Sequence, residues 1–179
     1  FAPSKRNEKI YEKYVKKMKN IKEITYGKTK FRGINFIGFG GYMDIDAYFD
    51  KRFFEEAKNK KALQKRMKRR EKSKKKLFQI LRKTEGERIF IFHYPPKGVF
   101  DIIRDKKDNP MNGKSVGIGF FSEAIKKYKS RLVLCGHMHE YQGAKKIHGA
   151  LVVNPGDAEK GKYAIVNIED RKVKVRFWR

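Results

Sequence analysis

Three of the four histidines stand where imidazole rings often do chemistry. His93 comes directly after the apolar run "RIFIF", and His137 and His139 follow "RLVLC" in the pattern Gly-His-x-His. Neutral imidazole is the commonest protein ligand for transition metals such as zinc, manganese and iron. A single histidine at a strand end is more often structural, but the spacing of His137 and His139 favours metal binding. The sequence therefore indicates metal-dependent chemistry.

The segments that precede these histidines are predicted to be β-strands. The runs "RIFIF", "RLVLC", "ALVVN", "YAIVNI" and "KVKVRF" are rich in branched and aromatic residues and are bounded by Gly, Pro, Asn or Asp. The second half of "SVGIGFFSEAIKKYKS" reads as a helix, and the order strand, helix, strand implies parallel pairing. Short turns join the later runs, as in hairpins. The predicted fold class is α/β, with a sheet that finishes in antiparallel strands.

This arrangement predicts that the three histidines lie at one edge of the sheet. Ligands of open α/β sheets bind beyond the carboxyl ends of the strands. In extended backbone, His137 and His139 would point into the same cavity, with Met138 turned aside. Gly136 permits an unusual φ or a close backbone approach there. His148 falls in an apparent hairpin turn, "IHGA", and is interpreted as structural.

Length and composition are those of one folded, strongly basic domain. The length suits a single domain over residues 1–179, and 39% hydrophobic with 13% aromatic residues argue against a disordered basic tail. Lys plus Arg number 46 against 20 Asp plus Glu, which favours a polyanionic partner or substrate.

Cysteine use and hydropathy indicate a cytoplasmic protein without a membrane partner. The single cysteine, Cys135, excludes a disulfide within the chain, and its apolar run makes it a core residue rather than a nucleophile. No apolar run approaches the roughly 20 residues that a membrane helix needs.

Positive charge is densest in residues 51–83, where 16 Lys plus Arg face three Glu. Apolar residues recur there at helical spacing, at Phe53 and Ala57, Leu63 and Met67, and Leu77 and Leu81, but not in 68–76. The pattern predicts two helices or one long helix whose ends pack and whose middle projects. We interpret residues 51–76 as a basic helical insertion or lid that binds a nucleic-acid backbone, or as a solvated charged face. A surface helix is predicted over residues 5–20.

These motifs resemble those of the calcineurin-like metallophosphoesterase superfamily. "FIFHYPPKGVFD" looks like the fourth motif of that family, and "LVLCGHMHE" looks like the fifth. "GALVVNPGDAEKGKYAIVNI" is similar to its closing hairpin, with Asn154, Pro155 and Gly156 in the usual turn. The resemblance runs from about Gly86 to Ile168. It implies that the chain is part of a four-layer α/β/β/α sandwich of the metallophosphoesterase type.

The resemblance also implies a reaction and a set of ligands. The reaction is hydrolysis of phosphate monoesters or diesters, such as a manganese-dependent phosphodiesterase performs, at a site with two divalent ions. His93 and His137 would bind the second metal and His139 the first, with no catalytic residue in this chain beyond the ligands. Manganese, iron, zinc, nickel and cobalt all remain candidates. Glu140 and Asn154 are candidates to support a ligand from behind, although Glu140 could instead be an exposed glutamate.

The sequence departs from the family in lacking its first three motifs. Asp-x-His, Gly-Asp with its bridging aspartate, and Gly-Asn-His do not occur in residues 1–179: "DID" at Asp44 to Asp46 is not Asp-x-His, and "GD" at Gly156 and Asp157 comes too late. Without a bridging carboxylate, two cations roughly 3.5 to 4 Å apart repel each other. We therefore predict a C-terminal portion that is weak or inactive alone and needs an N-terminal portion in cis or in trans.

Two other functions are compatible with the sequence. A basic nucleic-acid-binding module without catalysis would explain the charge of residues 51–76, and its affinity would fall steeply with salt whether or not metal is present. A scaffold protein on the same fold would carry no metal. The substrate class, whether nucleic acid, nucleotide, small phosphodiester or phosphoprotein, is not determined by the fold.

Overall fold

The structure is a computed structural model that describes residues 13–14, 17–40, 60–105, 108–169 and 172–179. Most of the surface helix predicted over residues 5–20 lies outside these ranges, as does the first part of the basic segment. None of the helices within them is long and apolar enough to cross a membrane.

Eight strands and two α-helices form the described part of the chain. The strands are β1 Gly27–Phe31, β2 Ile34–Phe39, β3 Arg88–Phe92, β4 Leu132–Leu134, β5 Gly143–Ile147, β6 Ala150–Asn154, β7 Tyr163–Glu169 and β8 Lys172–Trp178. The helices are α1 Lys60–Arg82 and α2 Gly119–Tyr128, with a short 3₁₀ helix at Ala158–Lys160.

The first six strands form one mixed sheet in the order β1-β2-β3-β4-β6-β5. The four central strands run parallel, and β1 and β5 pair antiparallel at the two edges. The parallel pairing of β3 and β4 across α2 is the one that the sequence predicts. β7 and β8 form a separate antiparallel pair. The predicted fold class, α/β ending in antiparallel strands, is confirmed.

Apolar side chains cover both faces of the six-stranded sheet. On one face, strand residues pack against α1 and α2 in a core that includes Phe39, Phe90, Phe92, Leu77, Leu81, Phe121 and Ile125. On the other face, Ile89, Leu132 and Val153 pack against the inward side chains of β7 and β8, among them Val166, Val175 and Phe177. The described residues therefore form three layers: helices, the large sheet and the small sheet.

Over residues 60–82 the basic segment is one helix rather than two. Its C-terminal end packs into the core through Leu77, Phe78 and Leu81, and residues 68–76 contain no buried side chain, as predicted. The predicted apolar pair at Phe53 and Ala57 lies outside the described residues.

Candidate metal centre

His93 lies where the carboxyl ends of three parallel strands meet. It directly follows β3, and its backbone N–H donates a hydrogen bond to the carbonyl of Phe39 at the end of β2 (3.2 Å). Its carbonyl accepts one from the N–H of Gly136, just after β4 (3.1 Å). Because both neighbouring strands hold its backbone, the direction in which the His93 side chain leaves the sheet is fixed by the sheet itself.

His137 occupies an unusual backbone conformation. Its φ is +67°, in the left-handed region, and the N–H of Met138 donates to the carbonyl of Gly136 across it (2.8 Å). A three-residue turn of this kind with positive φ is the rare and strained form of the γ-turn. Strain that the surrounding structure maintains is concentrated at functional sites, so the turn motivates a functional hypothesis for His137.

This turn corrects two expectations about the Gly-His-x-His segment. The backbone there is not extended, and the positive φ belongs to His137 rather than to Gly136. A Cβ added to Gly136 would lie 3.8 Å from the carbonyl oxygen of His93, which is an ordinary contact. Met138 is turned away from the histidines into the core, as predicted, with 5% of its surface exposed.

The structure brings the rings of His93 and His137 together. His93 Nε2 lies 3.3 Å from His137 Nδ1, and the ring of Tyr94 packs against that of His137 with 4.1 Å between centroids. Two nitrogens that each bind one tetrahedral ion at about 2.0 to 2.1 Å stand about 3.3 to 3.4 Å apart. The separation of the two nitrogens therefore fits two ligands of a single cation.

The surroundings favour the neutral form of both rings. The protein atoms around His137 remove part of its hydration and, together with positive charge on His93 and His139, lower its pKa to about 4. Partial desolvation, followed by the charge of His139, also lowers the pKa of His93. Since metals bind the neutral imidazole, this protonation state is the one that a ligand needs.

The ring of His139 lies beside the carboxylate of Asp157. Its Nδ1 is 3.6 Å from Asp157 Oδ1, and its side chain is 65% exposed whereas that of Asp157 is 7% exposed. Across the ranges that the structure describes, no three His, Cys, Asp or Glu side chains lie close enough to hold a metal ion together. The convergence of three imidazoles on one point thus stays a prediction.

Asp157 is ionised despite its burial. Burial alone would raise its pKa, but the hydrogen bond from Lys160 Nζ (3.2 Å), that from the N–H of Glu159 (3.2 Å) and nearby positive charge hold the pKa below its usual value. The late position of "GD" in the chain argues against a role for Asp157 when the sequence is taken alone. The signal that would have identified it is its place: it follows β6, which pairs parallel to β4 and so ends at the same edge of the sheet.

Glu140 and Asn154 make different contacts. Glu140 is exposed, and its Oε1 accepts a 3.4 Å hydrogen bond from the N–H of Arg104. Asn154 is 1% exposed; its Nδ2 donates to the carbonyl of Met138 (3.0 Å), and its Oδ1 accepts from the N–H of Gly156 (3.0 Å). The side chain of Asn154 therefore holds the backbone of residues 136–139, which we call the histidine loop, and ties this loop to the turn after β6.

The Asn154→Ala substitution is expected to lower the free energy of unfolding by about 1 to 3 kcal/mol, because the buried carbonyl of Met138 loses one of its hydrogen bonds and the N–H of Gly156 loses its acceptor. Urea denaturation measures the change. Asn112→Ala is the control: Asn112 is exposed and accepts one hydrogen bond from the N–H of Asp105, so a change of less than about 0.5 kcal/mol is expected. Equal losses in the two variants would contradict the supporting role of Asn154.

Cys135 is a core residue, as the sequence predicts. It is 4% exposed, and burial raises the pKa of its thiol to about 12. A thiol that stays protonated at neutral pH is a poor nucleophile and a poor metal ligand. The candidate ligands at this edge of the sheet are therefore the imidazoles and the carboxylate of Asp157.

The six-stranded mixed sheet with a separate two-stranded sheet at its C-terminal end is consistent with a metallophosphoesterase fold. The family model described as "Metallophosphoesterase, calcineurin superfamily" matches residues 5–177. The chain belongs to this family, as its two histidine motifs predict.

Two solved structures are similar to the chain. One crystal structure shares 22% sequence identity at a TM-score of 0.63, over 98% of this chain and 61% of its own. The crystal structure of the protein TT1561 of Thermus thermophilus shares 20% identity at a TM-score of 0.46, over 86% of this chain and 57% of its own. The chain thus spans about three fifths of the length of these proteins. No curated protein matches it.

Proposed function

We propose that this chain supplies imidazole ligands for the metal-dependent hydrolysis of phosphate monoesters or diesters. Membership of the metallophosphoesterase family supports a phosphoesterase-type function. The observation that carries the proposal is the 3.3 Å separation of His93 Nε2 and His137 Nδ1 at the carboxyl edge of the sheet. Two neutral rings at that distance suit one divalent transition metal ion.

In the proposed dinuclear site, His93 and His137 hold one ion and His139 helps to hold the other. The carboxylate of Asp157, 3.6 Å from His139, adds negative charge on that side. Divalent ions, when bound, polarise phosphoryl oxygens and stabilise the charge of the transition state. Imidazole and carboxylate suit manganese, iron, zinc, nickel and cobalt alike.

The residues of this chain then have three tasks. The neutral rings of His93 and His137 offer lone pairs to the ion, and the strained turn at His137 holds its ring against that of His93. The net charge of +26 concentrates phosphate-bearing molecules around the protein. The buried Asn154 keeps the histidine loop in place.

We also propose that further carboxylate ligands come from another polypeptide segment, in cis or in trans. Two divalent ions would bring four positive charges to this site, whereas three neutral imidazoles and one carboxylate supply a single negative charge. The remaining positive charge is unfavourable in a partly desolvated site. A reducing, cytoplasmic setting is part of the proposal, since the one cysteine is a buried free thiol.

Turnover of bis(4-nitrophenyl) phosphate tests the proposal. The isolated chain with Mn²⁺ is expected to be weak or inactive, whereas the chain combined with a polypeptide segment that carries the Asp-x-His, Gly-Asp and Gly-Asn-His motifs is expected to show turnover that EDTA abolishes. His93→Ala should remove that turnover and His148→Asn should not, because His148 lies in the β5–β6 turn. Robust turnover by the isolated chain would contradict the need for further ligands. Absence of turnover in the combined form, with metal supplied, would contradict the phosphoesterase function.

A further inference from the structure

One side of α1 is a continuous basic surface. The helix has 23 residues, of which 12 are Lys or Arg and one is Glu. Lys65, Lys68, Arg69 and Lys72 follow one another at intervals of three, one and three residues, and all four are exposed. At about 100° per residue they occupy one stripe of the helix, about 10 Å long. We call these four residues the basic face of α1.

The described acidic side chains do not neutralise the charge of this face. Among the described residues, none of the four forms an ion pair within 4.0 Å. Lys74, on the opposite side of the helix, pairs with Glu123 of α2 at 2.7 Å. The intramolecular ion pair thus lies on the packed side, and the positive charge on the open side faces solvent.

Side-chain contacts fix how α1 lies along α2. The guanidinium of Arg70 lies over the ring of Phe120 (6.0 Å to the centroid), Lys74 meets Glu123, and the ring of Phe78 contacts that of Tyr128 (5.9 Å). The two helices therefore run side by side in the same direction. Since α2 begins at Gly119, residues 60–69 of α1 extend past its first turn by about 15 Å at 1.5 Å per residue.

This extension points toward the end of the sheet that carries the histidines. The residue before α2, Ile118, donates its N–H to the carbonyl of Pro95, two residues after His93 (3.0 Å). The start of α2 therefore lies at the carboxyl edge of β3. Because α1 passes that point with its N-terminal part, its basic face begins at the same edge of the sheet as the candidate metal centre and continues outward from that edge.

We propose that the basic face of α1 docks the phosphate backbone of single-stranded nucleic acid and leads it toward His93 and His137. A row of unpaired cations that tracks a strand is the usual electrostatic basis of binding without sequence preference. The binding step is independent of catalysis. The assignment of nucleic-acid phosphodiesters as the substrate class rests on the proposed phosphoesterase function.

A membrane surface fits this helix less well. Helices that lie in a lipid interface present a broad apolar face beside their basic one. Among the described residues of α1, Met67 is the one large apolar side chain that is substantially exposed, at 50%. Residues 68–76 have no buried apolar side chain and no exposed one. The basic face therefore attracts anions but offers almost no surface to insert into lipid.

Fluorescence polarisation with a labelled single-stranded 20-nucleotide DNA tests the docking surface. The variant K65Q/K68Q/R69Q/K72Q keeps the helix, because Gln is a good helix former, and circular dichroism checks this. Its affinity is expected to fall at least about tenfold at 0.1 M salt. The slope of log affinity against log salt should become shallower by about 3, since each phosphate contact contributes about 0.7.

The matched control removes four positive charges from other elements, through K145Q/K146Q/K172Q/K174Q on β5 and β8. It should retain affinity to within about threefold. Equal losses in the two variants, or no binding by the unmodified chain, would overturn the proposal. Vesicles of phosphatidylcholine with phosphatidylserine form a second arm. If the α1 variant loses vesicle binding but keeps DNA binding, the surface is a membrane site and the proposal is wrong.

Catalysis is separated from docking by running the binding assay in EDTA. Removal of metal should leave DNA affinity unchanged, because the basic face carries no metal ligand. The combined form could bind DNA through α1 and yet hydrolyse neither DNA nor bis(4-nitrophenyl) phosphate. That result would refute the phosphoesterase function but would still support the docking surface. Hydrolysis of bis(4-nitrophenyl) phosphate without DNA binding would refute the docking surface alone.

Discussion

His137→Asn is expected to weaken the binding of a divalent transition metal to this chain by at least about 100-fold. The substitution removes one of the two ligand nitrogens that lie 3.3 Å apart. Loss of a residue that only orients a ligand already lowers metal affinity by about 10- to 100-fold, so loss of the ligand itself should lower it at least as much. Titration calorimetry with Mn²⁺ or Zn²⁺ measures the affinity, and the visible spectrum of bound Co²⁺ reports nitrogen ligands without any need for activity.

His148→Asn is a closely matched control for this substitution. Both histidines have positive φ, +67° for His137 and +49° for His148, and Asn tolerates that region better than most residues. Each variant therefore loses one imidazole at little conformational cost. We expect His148→Asn to retain the metal affinity of the unmodified chain. If the two variants lose affinity equally, or neither does, the assignment of His137 as a ligand is wrong.

Phe121→Ala is expected to lower the free energy of unfolding by about 3 to 5 kcal/mol. Phe121 is fully buried, its ring stacks on that of Phe92 with 4.0 Å between centroids, and it meets Phe39 edge-on at 5.9 Å. It thus joins α2 to the two strands that end beside the candidate metal centre. Since Phe92 directly precedes His93, we also expect weaker metal binding. Urea denaturation followed by circular dichroism measures the stability.

Phe31→Ala removes the same side chain from a position where it contributes little. Phe31 is 62% exposed on the edge strand β1, so a loss of less than about 1 kcal/mol is expected. Comparable losses in the two variants would show that the packing of α2 on the sheet is not the main source of stability at this end of the molecule.

The central strands could be predicted from the sequence because burial on both faces requires continuous apolar runs. β3, β4 and β6 are such runs, and each was identified. β1, "GKTKF", and β5, "GAKKI", were not identified, since they are lysine-rich edge strands with mostly exposed side chains. The strand conformation of β1 and β5 depends on their hydrogen bonds to β2 and β6 more than on the hydrophobic pattern of their own sequences.

The candidate site was predicted in part for a similar reason. The positions of His93 and His137 follow from the rule that strand ends gather at one edge. The γ-turn at His137 and the approach of Asp157 to His139 depend on β6 lying beside β4, a pairing that the sequence does not reveal. Applying the strand-end rule to β6 as well would have brought Asp157 into the candidate set.

The two edge strands also affect how copies of this chain meet. An open sheet edge presents unpaired backbone groups onto which a second molecule can add a strand. Here one edge carries Lys30 and the other carries Lys145 and Lys146, all exposed. Edge-to-edge addition of another copy would oppose ammonium groups at close range, and this repulsion disfavours intermolecular sheet growth and the aggregation that follows from it.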